Sequence, residues 1–129
     1  MKYEHYLVDT DILIDITKGK DGAVNFLGTF DNISISIISA MELMVGAGNT
    51  NEIKEIENFL FNYKREFLTE RISLKAYELL KIHSKEDGLT IPDALIAATA
   101  VVSRLTLATR NVKHFEKIKE LKVMEPSYS

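Results

Sequence analysis

Four carboxylates and one amide stand where a chain of alternating strands and helices places its chemistry. They are Asp9 and Asp11 in Leu7-Val8-Asp9-Thr10-Asp11, Glu42 in Ser39-Ala40-Met41-Glu42, Asp93 in Ile91-Pro92-Asp93, and Asn111 in Thr109-Arg110-Asn111. Each also has an ordinary structural use. Asp9 can cap the helix that follows it, although Thr10 and Asp11 could serve that end as well. Glu42 follows Ser39 at the capping-box spacing, where Glu reaches back to the cap's N–H. Asp93 in a first helical turn gains about 0.3–1 kcal/mol from the helix dipole. Asn111 suits a turn. Asp15, four residues after Asp11, reads as part of an exposed helix face. His5, His83 and His114 have no metal-binding spacing such as HExxH, and His114 with Phe115 reads as structural.

Taken together the acids say more than any one of them. Clustered carboxylates repel, and their pKa values rise unless a cation intervenes. Oxygen-only ligands suit Mg²⁺ or Mn²⁺. Such an ion activates water and stabilises charge on a phosphoryl oxygen. Metal-assisted phosphoester chemistry is the expectation from these residue types.

The pattern of apolar residues supplies the elements that must position them. Tyr6-Leu7-Val8 reads as a buried strand ending in Asp9, and Ile12, Leu13 and Ile16 continue as a helix that stops near Lys18-Gly19-Lys20. In an open α/β sheet the ligand crevice lies just outside the carboxyl ends of the strands. A second helix is predicted over 22–30 and an alternating strand over 33–37. Ser39 then opens a helix to Gly46, and a long amphipathic helix covers about 51–64. Phe67-Leu68 is a strand candidate, and a helix covers about 73–85. Ile91-Pro92-Asp93 opens the most apolar helix, with proline suited to its first turn. Thr106 to Thr109 is a short buried strand, His114 to Lys119 a helical turn, and Leu121 to Met124 a last strand. Short strands separated by helices predict an α/β sandwich with a mainly parallel sheet.

Composition narrows the class. The 129 residues are enough for one domain over 1–129 with a sizeable core, and 46% are apolar. There is no cysteine, which excludes disulfides and thiolate metal sites and points to the cytoplasm. No apolar run reaches the roughly 18 residues of a membrane span, and the charged start MKYEHYLVD does not read as a signal peptide. The net charge is −3. A nonspecific nucleic-acid binder would be basic, so metal ions or a local basic patch must offset these acids if the partner is a nucleic acid.

LVDTDILID, SAMELMVGA, IPDALIAATA and LATRNVKHFEKI follow one another over about residues 5–124. In that order they resemble the PIN domain, and within it the VapC-type toxin ribonucleases of bacterial and archaeal toxin–antitoxin pairs. The resemblance implies a three-layer α/β/α sandwich with a central, mainly parallel sheet, and RNA cleavage dependent on Mg²⁺ or Mn²⁺ through a metal-activated water. Asp9 and Asp93 would hold the metal. Glu42 would position the water or accept its proton, and Asn111 would orient a water or a phosphate oxygen. Asn111 stands where many PIN domains carry a fourth acid, and Asp11 where Asn is frequent. Asp11 is then either a cap or an auxiliary acid. The implied partners are an RNA substrate, a cognate VapB-type antitoxin and a second copy of the chain, with no membrane. Helices 51–64 and 22–30 are candidates for the antitoxin groove, against plain core packing. Lys18, Lys20, Arg110 and Lys113 are candidates for RNA phosphate contacts, against a solvated loop.

Three alternatives compete. Asp9-x-Asp11 after a strand would suit a haloacid-dehalogenase-like phosphatase, but Ile12-Leu13 displaces that family's small or hydroxyl residue and no later paired-Asp motif is found. A phosphoacceptor receiver module needs an Asp at the end of a middle strand, which neither 33–37 nor 67–70 supplies. A catalytically silent PIN binding module is the third, opposed by the presence of Asp9, Glu42 and Asp93.

Overall fold

The computed structural model describes residues 4–128. Residues 1–3 and 129, at the two ends of the expected 1–129 domain and in the stretch read against a signal peptide, lie outside the described residues. The elements follow in the order β1 (Tyr6–Val8), α1 (Thr10–Thr17), α2 (Asp21–Gly28), β2 (Ile33–Ser36), α3 (Ile37–Gly46), α4 (Thr50–Leu60), β3 (Lys64–Glu66), α5 (Glu70–His83), α6 (Ile91–Ser103), β4 (Thr106–Ala108), a 3-10 turn at Val112–His114, and β5 (Val123–Met124).

The five strands form one sheet in the order β3-β2-β1-β4-β5, with every pairing parallel. Side chains alternate across it, as the pleat requires. Leu7 and Leu107 pack with α5 and α6 on one face, in a cluster with Ala97, Leu79 and Phe115. Val8, Ile35 and Ala108 pack with α1, α3 and α4 on the other, in a cluster with Ile12, Leu13, Leu43 and Leu60. This is the α/β/α sandwich expected from the sequence. The inner strands β1, β2 and β4 are buried on both sides, which explains their short runs of buried residues.

The chain leaves β1 towards β2 and β3 and returns through α5 and α6 to β4, on the other side of β1. The carboxyl ends of β1 and β4 therefore flank the point where the strand order reverses, where such sheets hold ligands. Asp9 directly follows β1, and Thr109 directly follows β4.

α6 is held most deeply, with Ala94, Ile96, Ala97, Ala98 and Ala100 essentially inaccessible. Thr90 caps it by accepting from the Asp93 N–H at 3.3 Å, and Pro92 sits in the first turn. Cap and proline together set Asp93 at the start of a rigid helix.

Several boundaries differ from the apolar pattern, α4 and β3 most plainly. α4 ends at Leu60 rather than 64, because the amides of Asn62 and Tyr63 fold back tightly onto the carbonyls of Phe59 and Leu60. The third strand is Lys64–Glu66 rather than Phe67-Leu68, which remain exposed. An edge strand pairs on one side only, so charged residues are tolerated there and mask the strand signal. Arg65 pairs with Glu57, and Lys64 with Glu66.

Candidate active site

Asp9 occupies the N-cap of α1 and is 6% exposed. Its Oδ1 accepts from the Thr10 N–H at 2.8 Å, and its Oδ2 accepts from the Thr109 hydroxyl at 2.8 Å. The cap role that sequence shared among three residues thus falls to Asp9 itself. Thr109 is fully buried, and its oxygen in turn accepts from the Asn111 N–H at 2.9 Å. One threonine therefore ties the end of β1 to the turn after β4.

Asp11 sits one residue into α1 and turns to the same place. Its Oδ2 accepts from the Arg110 backbone N–H at 3.1 Å and lies 3.4 Å from the Thr109 hydroxyl. Its Oδ1 is buried and, among the described residues, has no hydrogen-bond partner. Asp11 is therefore not the cap of α1, a place taken by Asp9.

Glu42 is not part of a capping box. The strand ends earlier than its alternation suggests, so α3 begins at Ile37 and its cap is Ser36, which accepts from the Ile38 N–H. Ser39 lies inside the helix. The Glu42 carboxylate instead accepts from the Thr10 hydroxyl at 2.7 Å. A carboxylate can only accept, so the single Thr10 proton goes to Glu42, and the 2.8 Å contact with Ser39 is donated by Ser39. Ser39 and Thr10 together set the direction of Glu42.

Asp93 is half-buried, and its Oδ2 lies 3.2 Å from Nδ1 of His114. The same nitrogen lies 3.0 Å from the Asn111 side-chain amide. It can donate to Asp93 or accept from Asn111, and the tautomer decides which. Asn111 is exposed and is placed by this contact and by the Thr109 oxygen. The 3-10 turn carrying His114 is anchored by Phe115, which is 1% exposed.

The electrostatics follow from this crowding. Burial, then the neighbouring Asp11 charge, push the Asp9 carboxyl up to about 7. Hydrogen bonds from Thr109 and Thr10 oppose the rise, and Asp93 adds to it. Asp11 is raised as well, chiefly by burial, against the hydrogen bond from the Arg110 amide. An oxygen-coordinated divalent cation fits this donor set: it would relieve the repulsion and give the orphaned Asp11 Oδ1 a partner. Among the described residues no three acids or imidazoles close into a ready-made metal cage. A cation here would keep several waters, as Mg²⁺ does.

The structure thus brings Asp11 and Asp93 close enough to raise the Asp9 carboxyl, with Glu42 attached through Thr10 and Asn111 through Thr109. Thr10, Thr109 and His114 were not singled out as functional in the sequence. Thr10 stands between two acids and Thr109 directly follows a strand, which are the local hints of their use. His114 showed no metal spacing because its partners come from other elements.

Asp15 is a correction. Expected on an exposed face, it is 6% exposed. Arg110, Tyr128 and Lys20 all reach it, so the guanidinium of Arg110 and the ammonium of Lys20 are engaged within the chain rather than free for RNA phosphates. A groove lies beside the site, and a separate one is lined by Gly22, Asn25 and Phe26 of α2. The first, of about 590 Å³, is lined by Ile14, Lys18, Glu42, Leu43, Ile56 and Phe59 among others, so α4 contributes but α2 does not.

Comparison with known proteins is consistent with this geometry. A family model described as PIN domain matches residues 6–121. Ribonuclease VapC10 of Mycobacterium tuberculosis is 34% identical over 120 residues, covering 90% of each chain. A toxin-antitoxin complex from Klebsiella pneumoniae contains a chain similar at a TM-score of 0.82 and 34% identity, over 96% of this chain and 99% of that one. VapBC2 from Rickettsia felis, bound to a DNA fragment from its promoter, matches at 0.79 and 27% identity, over 93% and 97%.

Proposed function

The chain belongs to the PIN-domain family, and from that membership and the geometry of its acids we propose that it is a metal-dependent endoribonuclease acting as the toxin of a type II toxin–antitoxin pair. The observation that carries this reading is the convergence of Asp9, Asp11 and Asp93 at the switch point of a parallel sheet, with Asp9 raised to about 7. Similarity to VapC ribonucleases and to toxin–antitoxin complexes supports it.

Asp9 and Asp93 would hold Mg²⁺ or Mn²⁺, with Asp11 Oδ1 as a further donor. When bound, such an ion lowers the pKa of a water and offsets charge on the scissile phosphate. Glu42, held by the Thr10 hydroxyl, accepts the proton of the attacking water. Asn111, steadied by Thr109 and His114, orients a phosphate oxygen. Lys18 and Lys113 remain candidates for backbone phosphates, which makes RNA binding fall with salt. A cytoplasmic location belongs to the same reading; among the described residues no helix is long and apolar enough to cross a membrane.

The partner is a VapB-type antitoxin. The groove between α1, α3 and α4 has apolar walls in Leu43, Ile56 and Phe59 and an acidic rim in Glu42, Glu52 and Glu55. It suits an apolar segment with a basic side chain reaching towards the acids. A homodimer is part of the same reading, supported by the exposed Phe67, Leu74 and Tyr77 before and along α5.

The test is cleavage of structured RNA in Mn²⁺ or Mg²⁺, in EDTA, and by an Asp93→Asn variant. Cleavage by the parent alone, lost in EDTA and in the variant, is expected. Cleavage that persists in EDTA, or at the parent rate in the variant, overturns the metal–carboxylate mechanism. A well-folded parent that binds RNA without cutting it points to the silent binding module.

A further inference from the structure

The segment after β5 crosses α2 and ends its described course beside the site. Pro126 is buried. The Tyr128 ring stacks near Phe26, with centroids 6.1 Å apart, and lies under the Arg110 guanidinium at 5.4 Å. Gly22 in α2 lets it pass: a Cβ there would stand 2.7 Å from the Cβ of Tyr128. The approach is too close for any side chain at position 22 without a shift of the segment.

Tyr128 lies in contact with a relay that runs back to the acids. Its hydroxyl donates to Asp15 Oδ2 at 2.7 Å, and Arg110 Nη1 donates to the same oxygen at 2.6 Å. Lys20 sits 3.3 Å from the other Asp15 oxygen. Burial would raise the Asp15 carboxyl, but the bonds from Tyr128, Arg110 and Lys20 hold it below its usual range. Arg110, so fixed, presents its backbone N–H to Asp11 Oδ2 at 3.1 Å. That bond leaves Asp11 Oδ1 as the free oxygen.

We propose that Tyr128 and Asp15 are positioning residues of the active site: they clamp the Arg110 turn so that its amide aims Asp11 Oδ1 at the divalent cation. The proposal rests on the reading of Asp9, Asp11 and Asp93 as the metal site. Neither Tyr128 nor Asp15 touches the reacting groups. Their effect passes through Arg110, as outer partners of metal ligands commonly act.

The test uses the full chain, ¹⁵N-labelled, with two readouts: hydrogen exchange at the Arg110 amide without metal, and Mn²⁺ affinity by calorimetry. Tyr128→Phe removes only the hydroxyl. It should speed exchange at Arg110 about fivefold or more and weaken Mn²⁺ binding about tenfold, while exchange at Leu107 in β4 stays unchanged. Asp15→Asn should do the same or more. In the Asp15→Asn background, Tyr128→Phe should add nothing further, because the hydroxyl acts through Asp15. Gly22→Ala, which displaces the segment carrying Tyr128 while leaving every side chain of the relay chemically intact, should reproduce the Tyr128→Phe effect, and it decides the matter if Asp15→Asn does not fold. Arg110 exchange unchanged in Tyr128→Phe and Gly22→Ala overturns the proposal, whatever happens to their melting temperatures. Additive effects of Tyr128→Phe and Asp15→Asn overturn the relay. If the parent takes up no Mn²⁺, the metal-site reading fails, and the Arg110 exchange still decides whether the clamp exists.

Discussion

The Thr10 hydroxyl and the Glu42 carboxylate meet at 2.7 Å across 32 positions of sequence. This contact joins α1 to α3 and gives Glu42 a fixed direction that a half-free side chain on a helix surface would lack. Thr10→Val keeps the shape but leaves Glu42 and Ser39 without their shared partner. It should cost about 1–3 kcal/mol in thermal unfolding and lower the cleavage rate. Glu42→Gln keeps an acceptor for Thr10. Its melting temperature should stay within about 2 °C of the parent, a ΔΔG of well under 1 kcal/mol, while the rate falls about 10²-fold or more. Equal rates for parent and Glu42→Gln would remove Glu42 from the proton transfer.

Asp9 makes folding depend on pH in an unusual direction. Its carboxyl is raised from 3.8 to about 7 by burial and by Asp11. Between these values the unfolded chain releases a proton that the folded chain keeps, so Asp9 stabilises the fold less and less as pH rises from about 4 to about 7. The loss is on the order of 4 kcal/mol at most. Asp9→Asn should abolish this slope and raise the melting temperature at pH 7.5. Mg²⁺ should raise the melting temperature of the parent at pH 7.5 and much less at pH 5, where Asp9 is protonated. A parent whose stability climbs between pH 5 and 7 without metal, with no slope lost in Asp9→Asn, would contradict the shift.

The cap of α3 expected at Ser39 falls to Ser36. Ser36 caps α3 by accepting from Ile38. Ser36→Ala should destabilise by about 1 kcal/mol without a specific effect on cleavage. Ser39→Ala removes a donor to Thr10 and should reduce cleavage as well. Rates measured beside urea unfolding separate the two, and the opposite assignment would restore the capping box.

His114 Nδ1 lies within reach of both Asp93 and Asn111, at 3.2 and 3.0 Å, and bonds one of them at a time. His114→Ala should leave the fold intact, since the ring is largely exposed while Phe115 supplies the anchor. It should lower the cleavage rate about tenfold, the scale expected when a positioning contact to a metal ligand is lost. Phe115→Ala, by contrast, should cost about 3–5 kcal/mol and disorganise the whole turn. A His114→Ala enzyme with parental rate would make the ring a bystander.

Much of this molecule was readable from local patterns. Strands buried on both faces show as short apolar runs, α6 shows as an apolar helix opened by Pro92, and Asp9 and Asp93 stand where helices begin. Periodicity failed where the environment was one-sided. β3 hides because an edge strand tolerates Lys64 and Glu66, and α3 starts early because Ile37 and Ile38 serve helix and strand equally well.

Sequence alone determined the layered α/β architecture and which acids lie near strand ends, because burial and turn chemistry are written in neighbouring residues. Only the tertiary structure decided what each polar group is for. Glu42 is no cap, and Thr10 lies opposite it. Asp15 passed from solvent to the interior because Arg110, Tyr128 and Lys20 converge on it. Asp11 keeps one oxygen without a partner among the described residues because the Arg110 amide takes the other. Hydrogen bonds and carboxylate repulsion act over a few ångströms of space, and here those ångströms join residues as far as 113 positions apart, a distance that no local pattern spans.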